Sequence, residues 1–162
     1  MPDCQVRPYT EADRDDLRAM MLALQIAERV MEPNRAQWSD AGASYIEEAL
    51  AAVAAKKGAI FIAESHPLPD PVGFVTCWQA YEDDSIVAAT ERDYLYVADL
   101  YVADVARGRG IAGALLDEAE GHGRTLGLDQ VRIGLLSANQ SARRAYQKAG
   151  FEDFEVTLRK RL

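Results

Sequence analysis

The 162-residue chain predicts a mixed α/β fold, and three observations carry that reading. Two N-terminal windows repeat apolar side chains at helical spacing. Two short apolar runs, residues 59–63 and 72–78, flank the turn-rich His66-Pro-Leu-Pro-Asp-Pro71, as in a β-hairpin. A β-like run at residues 94–102 then leads into VARGRGIAGALL, residues 105–116, a glycine-rich junction that opens another amphipathic pattern. Elements of both periodicities in one short chain bury their apolar faces by layering helices on a sheet.

Taken in order, residues 4–7 are extended and closed by Pro8, and Thr10-Glu-Ala-Asp13 reads as a capping box. Leu17, Met20, Met21, Leu24, Ala27 and Val30 follow at three- and four-residue steps, giving a helix over about 11–31 that Pro33 and Asn34 break. Ser39 or Asp40 is placed to cap a second helix carrying Tyr45, Ile46, Leu50 and Val53, ended by Lys56, Lys57 and Gly58. After the hairpin comes an acidic segment with Glu82, Asp83, Asp84, Glu91 and Asp93, then the strand 94–102. The junction opens a helix to about Leu126; residues 130–136 form a strand, 138–148 a helix stopped by Gly150, and about 154–159 a last strand. The expected order is β-α-α-β-β-β-α-β-α-β, with residues 1–162 as one domain.

Composition excludes several function classes. Asp and Glu outnumber Lys and Arg by 26 to 18, a net charge of −8, which opposes a nucleic-acid partner and favours cationic ones. The two cysteines, Cys4 and Cys77, lack any CxxC spacing, so neither a disulfide framework nor a thiolate metal site is expected, and both read as small buried side chains. His66 and His122 have no metal-ligand spacing. The N-terminus is charged and no apolar run approaches the roughly 18 residues of a membrane span, so a cytoplasmic protein with no membrane partner is expected.

The junction is unusual because helices ordinarily begin on Ser, Thr, Asp or Asn. Here Arg107, Gly108, Arg109 and Gly110 precede the helix, so its exposed N–H groups and partial positive charge are left for an anion, with glycines admitting the ligand to the backbone. A dinucleotide fingerprint fails on context and a P-loop lacks its Gly-Lys-Ser/Thr ending. A plain structural turn is the competing reading at this point.

Arg107-Gly-Arg-Gly-Ile-Ala112 fits R/Q-x-x-G-x-G/A, and Asn139 through Phe151 fits N-x-x-A-x-x-x-Y-x-x-x-G-F. In these motifs, and in element order throughout, the chain resembles the GNAT family of N-acetyltransferases. The resemblance implies the acyl-CoA N-acyltransferase fold: a mostly antiparallel sheet, a splayed parallel pair and flanking helices. It implies acetyl-CoA as co-substrate, with the pyrophosphate on the backbone of Arg107, Gly108, Arg109, Gly110, Ile111 and Ala112. Pantetheine would run beside Leu100, Tyr101 and Val102, where a backbone N–H at a strand bulge, at Leu100 or a neighbour, would face the thioester carbonyl. Asn139 and Ala142 belong to the same cofactor surface, no metal is involved, and homodimers are common in the family. Ala98-Asp-Leu-Tyr-Val102 is similar to a strand of the diamine and polyamine acetyltransferases, except that Ala98 stands where that subgroup often has glutamate.

Acetyl transfer to an amine requires an unprotonated nucleophile and an acid for the departing thiolate. A lysine-like amine, pKa about 10.4, must give up its proton near pH 7 at a cost of roughly 4–5 kcal/mol, which calls for a base or a water chain. Tyr146 matches the family's tyrosine acid, and its other reading is an amphipathic core tyrosine. Three roles are open to Asp99: base through water, cation-binding group, or strand-end acid bonded to backbone. Glu28 on the first helix, with Trp78, Tyr81 and Tyr96 on strands, are candidates for the acceptor site, against solvated and core roles respectively. Arg143, Arg144 and Lys148 are either a contact for the 3′-phosphate of CoA or a solvated basic face.

The leading expectation is acetyl-CoA-dependent acetylation of a primary amine on a small cationic molecule, aminoglycoside-like or polyamine. A peptide N-terminus or protein lysine is the second acceptor class, and a non-catalytic acyl-CoA-binding module the third reading.

Overall fold

The computed structural model describes residues 4–162, with the side chains of residues 38–43 outside the description. The principal elements are β1 (Cys4–Pro8), α1 (Arg14–Met31), α2 (Trp38–Ala55), β2 (Ala59–Ser65), β3 (Gly73–Tyr81), β4 (Asp93–Val102), α3 (Ile111–Thr125), β5 (Val131–Ile133) and α4 (Gln140–Lys148). The strands form one sheet in chain order. β1 to β4 are antiparallel neighbours and β4–β5 is a parallel pair.

The sheet has a helical layer on each face because its strands are apolar on both. On one face α1 and α2 bury Leu17, Met21 and Ile46 against Ile62 and Phe74. On the other, Leu115 and Leu116 of α3 pack on Val75, Leu95 and Val97, and Tyr146 of α4 joins that cluster. Each fully buried aliphatic side chain contributes about 1.5–3 kcal/mol.

α1 is entered through the expected box. The N–H and Oγ1 of Thr10 donate to Asp13 Oδ2 at 2.7 and 2.9 Å, and Arg7 donates to both Asp13 oxygens at 2.8 and 2.7 Å while its Nε reaches Glu64. These bonds hold the carboxyl of Asp13 well below the usual carboxylate range.

α2 begins at Trp38 with Gln37 as its N-cap, ahead of the expected Ser39 or Asp40, whose side chains lie outside the described residues. The hairpin is present, with β2 and β3 paired antiparallel. Cys77 is buried and Cys4 only partly so, and both are free thiols.

Two strand expectations are corrected. The strand expected over 130–136 reduces to Val131–Ile133, because pairing with β4 ends at Val97 opposite Ile133. The last strand, expected over about 154–159, does not form. Phe154, Val156 and Leu158 alternate as a strand would, yet they are 73%, 70% and 90% exposed and their backbone joins no ladder. Side-chain contacts hold this tail instead: Arg132 lies over the Phe154 ring at 4.6 Å, and Arg159 pairs with Glu32 at 2.6 Å. Alternation is a property of the tail alone, whereas a strand also needs a neighbouring backbone.

Candidate active site

The site is organised by one irregularity in β4. Thr76 of β3 pairs with Asp99, but the next residue, Cys77, pairs with Val97, so Ala98 is the extra residue of a β-bulge. Leu95 and Val97 face α3, and unbroken alternation would send Asp99 to that same side. The bulge inverts the parity: Leu100 and Val102 pack towards α3, while Asp99 emerges with Tyr101 on the α1–α2 face. The irregularity therefore sits at Ala98, two residues before Leu100.

Asp99 is almost completely buried, and each of its carboxylate oxygens accepts one hydrogen bond. Oδ1 accepts a hydrogen bond from the Tyr45 hydroxyl of α2, and Oδ2 accepts one from Thr76 Oγ1 at 2.7 Å. Neither donor is backbone, in contrast to the backbone bonding expected of a strand-end acid. Burial pushes the Asp99 pKa up, and the two hydroxyl donors together with the charge of Arg35 offset part of that rise. Tyr45 is pushed above the ordinary phenol range by burial and by the Asp99 charge, so it stays a donor.

Glu28 of α1 belongs to the same cluster. It pairs with Arg35 Nη1 at 3.0 Å, and its pKa is raised by burial, with the Asp99 charge contributing in the same direction. Its own charge contributes to raising Tyr146, whose phenol burial lifts to about 12. Glu28 of α1 thus lies within electrostatic reach of both Asp99 of β4 and Tyr146 of α4.

The other side of the bulge is open. The β4–β5 pairing stops at Val97, so from Ala98 to Val102 the edge of β4 that faces β5 has no ladder partner there. Along that edge Tyr101 is half-buried against Phe74 and Val102 is buried, its carbonyl accepting Arg107 Nε at 3.1 Å. Beyond it α3 starts on Gly110, at φ 81°, with no side-chain cap, and Gly108 is also left-handed at φ 77°. A Cβ added to either glycine meets no atom within 4 Å, so backbone conformation rather than crowding calls for glycine and leaves clear space at the helix start. Ala114 N–H to Gly110 O, at 3.1 Å, is the first bond of the helix; the N–H groups of Ile111, Ala112 and Gly113 precede it. The open edge and the uncapped start lie at the two ends of one short connection, residues 103–109, which carries a single 3-10 turn at Asp104–Ala106.

Arg107 is not a free rim cation. Besides Val102 O it pairs with Asp104 at 2.8 Å, bracing the turn, whereas Arg109 is exposed. Asn139 caps α4, its Oδ1 accepting from Ala142 N–H at 3.0 Å, so its amide nitrogen is what remains to face a ligand. Ala142 packs on the α3-side core. Tyr146 is 9% exposed and tilted against Phe151 at 6.0 Å.

Of the aromatic candidates, Trp78 and Tyr96 pair across β3 and β4 at 5.8 Å on the Asp99 side of the sheet, with Lys56 Nζ 5.5 Å from the Trp78 ring. Tyr81 is exposed at the far end of β3, near Arg92, and is not brought to the cluster. Arg143 pairs with Asp153 at 2.6 Å. Among the described residues no group of three or more His, Cys, Asp or Glu is placed to hold a metal, and no helix is long and apolar enough to cross a membrane.

Sequence reasoning missed Tyr45, Thr76 and Arg35. The bulge itself was legible: apolar residues of β4 fall at Leu95, Val97, Leu100 and Val102, steps of two, three and two.

The acetyltransferase (GNAT) family model matches residues 23–151, and the chain belongs to that family. Solved structures share its fold over nearly full length. A tetramutant of a Bacillus halodurans protein aligns with TM-score 0.80 at 17% identity, covering 98% of this chain and 99% of that one. Aminoglycoside N-acetyltransferase AAC(6')-Iy, in complex with the bisubstrate analogue CoA-S-monomethyl-acetylneamine, aligns at 0.69 and 20%, again over 98% and 99%. An aminoglycoside 6'-N-acetyltransferase from Acinetobacter haemolyticus aligns at 0.68 and 18%, with the same coverage. No curated protein sequence matches the chain significantly.

Proposed function

We propose that this protein, as one domain over residues 1–162, transfers an acetyl group from acetyl-CoA directly to a primary amine of a small cationic molecule. The observation that carries the reading is the open β4 edge, Ala98 to Val102, joined by the short connection 103–109 to the uncapped start of α3. Arg107 to Ala112 hold the pyrophosphate through backbone N–H groups, Leu100 to Val102 take the pantetheine as an added strand, and Asn139 Nδ2 and Ala142 line its other side. CoA bonded this way draws on main-chain donors that the fold otherwise leaves unpaired.

The chain's own groups supply the acid–base steps. Tyr146 keeps its proton at neutral pH because burial raises its pKa to about 12, and it gives that proton to the thiolate as the C–S bond breaks and the amide bond forms, regaining one from solvent. Asp99, whose oxygens accept from Tyr45 and Thr76, attracts in its ionised form the ammonium of the acceptor and takes its proton through water. Glu28 extends the negative field toward the acceptor entrance, and Trp78 supplies an apolar wall.

A small acceptor is supported by the burial of Asp99 between α2 and the sheet, with Glu28 half-buried on α1, and by the chain's net charge of −8. The aminoglycoside enzymes among its structural neighbours point the same way. The homodimer reading is supported by the exposed, alternating Phe154, Val156 and Leu158. The deciding experiment is an acceptor screen that follows free CoA thiol. Steady release with an amine establishes the enzyme, and absence of release across amines and peptides leaves a binding module.

A further inference from the structure

Beside the acidic pair lies a cation whose bonding is incomplete. Arg35 stands in the segment between α1 and α2, anchored by its carbonyl, which accepts Arg29 Nη1 at 3.1 Å. Its Nη1 meets Glu28 at 3.0 Å, and its charge reaches Asp99 and Tyr45. Its Nε is buried with no hydrogen-bond partner, the one such side-chain N or O atom among the described residues. The Arg35 side chain as a whole is 38% exposed, so the guanidinium is open to a ligand while its Nε–H lacks an acceptor that a ligand oxygen would supply.

We infer that Arg35 is a specificity-determining residue that receives a carboxylate of the acceptor on its Nε edge, so that the acceptor is an amine and a carboxylate in one small molecule. The inference rests on the acetyltransferase reading above. Glu28 occupies the Nη1 corner of the guanidinium, so the Nε side is the fork left for a planar, two-oxygen partner, the geometry in which Arg engages carboxylates.

Charge sets the rest of the acceptor. With both carboxylates ionised, Glu28 and Asp99 against Arg35 sum to one negative charge, which a ligand of net charge about +1 neutralises. One carboxylate and two ammonium groups give that sum, the chemistry of a diamino monocarboxylic acid. One amine sits at Asp99 to be acetylated, and the carboxylate sits at Arg35. A polyamine offers nothing to the Nε edge.

The test compares 2,3-diaminopropionate, 2,4-diaminobutyrate, ornithine and lysine, each with its carboxamide and its decarboxylated diamine, by kcat/KM from free CoA release. The wild-type protein is expected to favour at least one free acid over its amide and diamine by about 10- to 100-fold. In Arg35→Met that ratio falls towards one, and Arg35→Lys, which keeps charge but loses the fork, is intermediate. Unchanged melting temperatures separate the effect from misfolding. Equal or better use of amides and diamines, or a ratio untouched by Arg35→Met, overturns the inference while leaving the acetyltransferase reading intact, as does turnover of other amines only. If no amine releases CoA, the acetyltransferase reading fails, and calorimetric titration of the same compounds into the CoA-bound protein decides: an Arg35-dependent preference for the free acid sustains the carboxylate site, and its absence ends it.

Discussion

The Tyr45 hydroxyl donates to the carboxylate of Asp99 across 54 positions of sequence, joining α2 to the bulged strand β4. Removing this donor with Tyr45→Phe leaves Asp99 with Thr76 alone. Because the bond favours the ionised carboxylate, its loss raises the Asp99 pKa further, and the acid limb of the kcat/KM–pH profile moves to higher pH. The fold loses about 1–3 kcal/mol, read by denaturant titration. A limb that stays in place would exclude Asp99 as the group responsible for it.

Asp99→Asn separates activity from stability. The folded-state pKa of Asp99 is raised, so its contribution to stability is complete below the unfolded value of about 3.9 and is lost as pH rises through the folded value. Asparagine carries no such titration. The melting temperature of the variant minus that of the wild type should therefore increase from pH 4 to pH 8, while kcat/KM falls by about 100-fold or more. A constant difference in melting temperature would contradict the sign assigned here.

Tyr146→Phe should lower kcat by about 10²–10⁴ with little change in KM for either substrate. Since the phenol is pushed to about 12, the wild-type rate should show no alkaline decline from this group up to roughly pH 10. Retained turnover in the variant would assign Tyr146 to the core alone.

Gly110→Ala places a Cβ on a left-handed residue at the start of α3, costing about 1–2 kcal/mol of stability. The added methyl also enters the clear space at the helix start proposed for the pyrophosphate, so KM for acetyl-CoA should rise more than kcat falls. Isothermal titration with CoA reads the same loss without turnover.

Asp13→Asn removes the anion that binds the start of α1 to Arg7 and the cap at Thr10. The pKa of Asp13 is depressed, so its stabilisation is present above the unfolded value near 3.9 and is lost as pH falls through the folded one. The variant should be about 2–3 kcal/mol less stable at pH 7, and the gap should narrow on acidification. Thermal melts across pH 2–7 measure it.

The amino-acid sequence by itself determined the fold class, the order of elements through α4, and the glycine-rich start of α3. Each of these is written in local terms: the spacing of apolar residues, a capping box, and glycines where φ must be positive. The short helix α4 and its stop were legible for the same reason, since Asn139, Tyr146 and Gly150-Phe151 form one local pattern. Only the tertiary structure decided which groups surround Asp99. The bulge at Ala98 turns it to the α1–α2 face, and Tyr45, Thr76, Glu28 and Arg35 reach it from three other elements and a connecting segment. Local periodicity says which face a side chain takes, not which distant side chain fills the space opposite. The tail shows the same limit from the other side: Phe154, Val156 and Leu158 have a strand's pattern, but pairing depends on a backbone elsewhere, and β5 runs only from Val131 to Ile133.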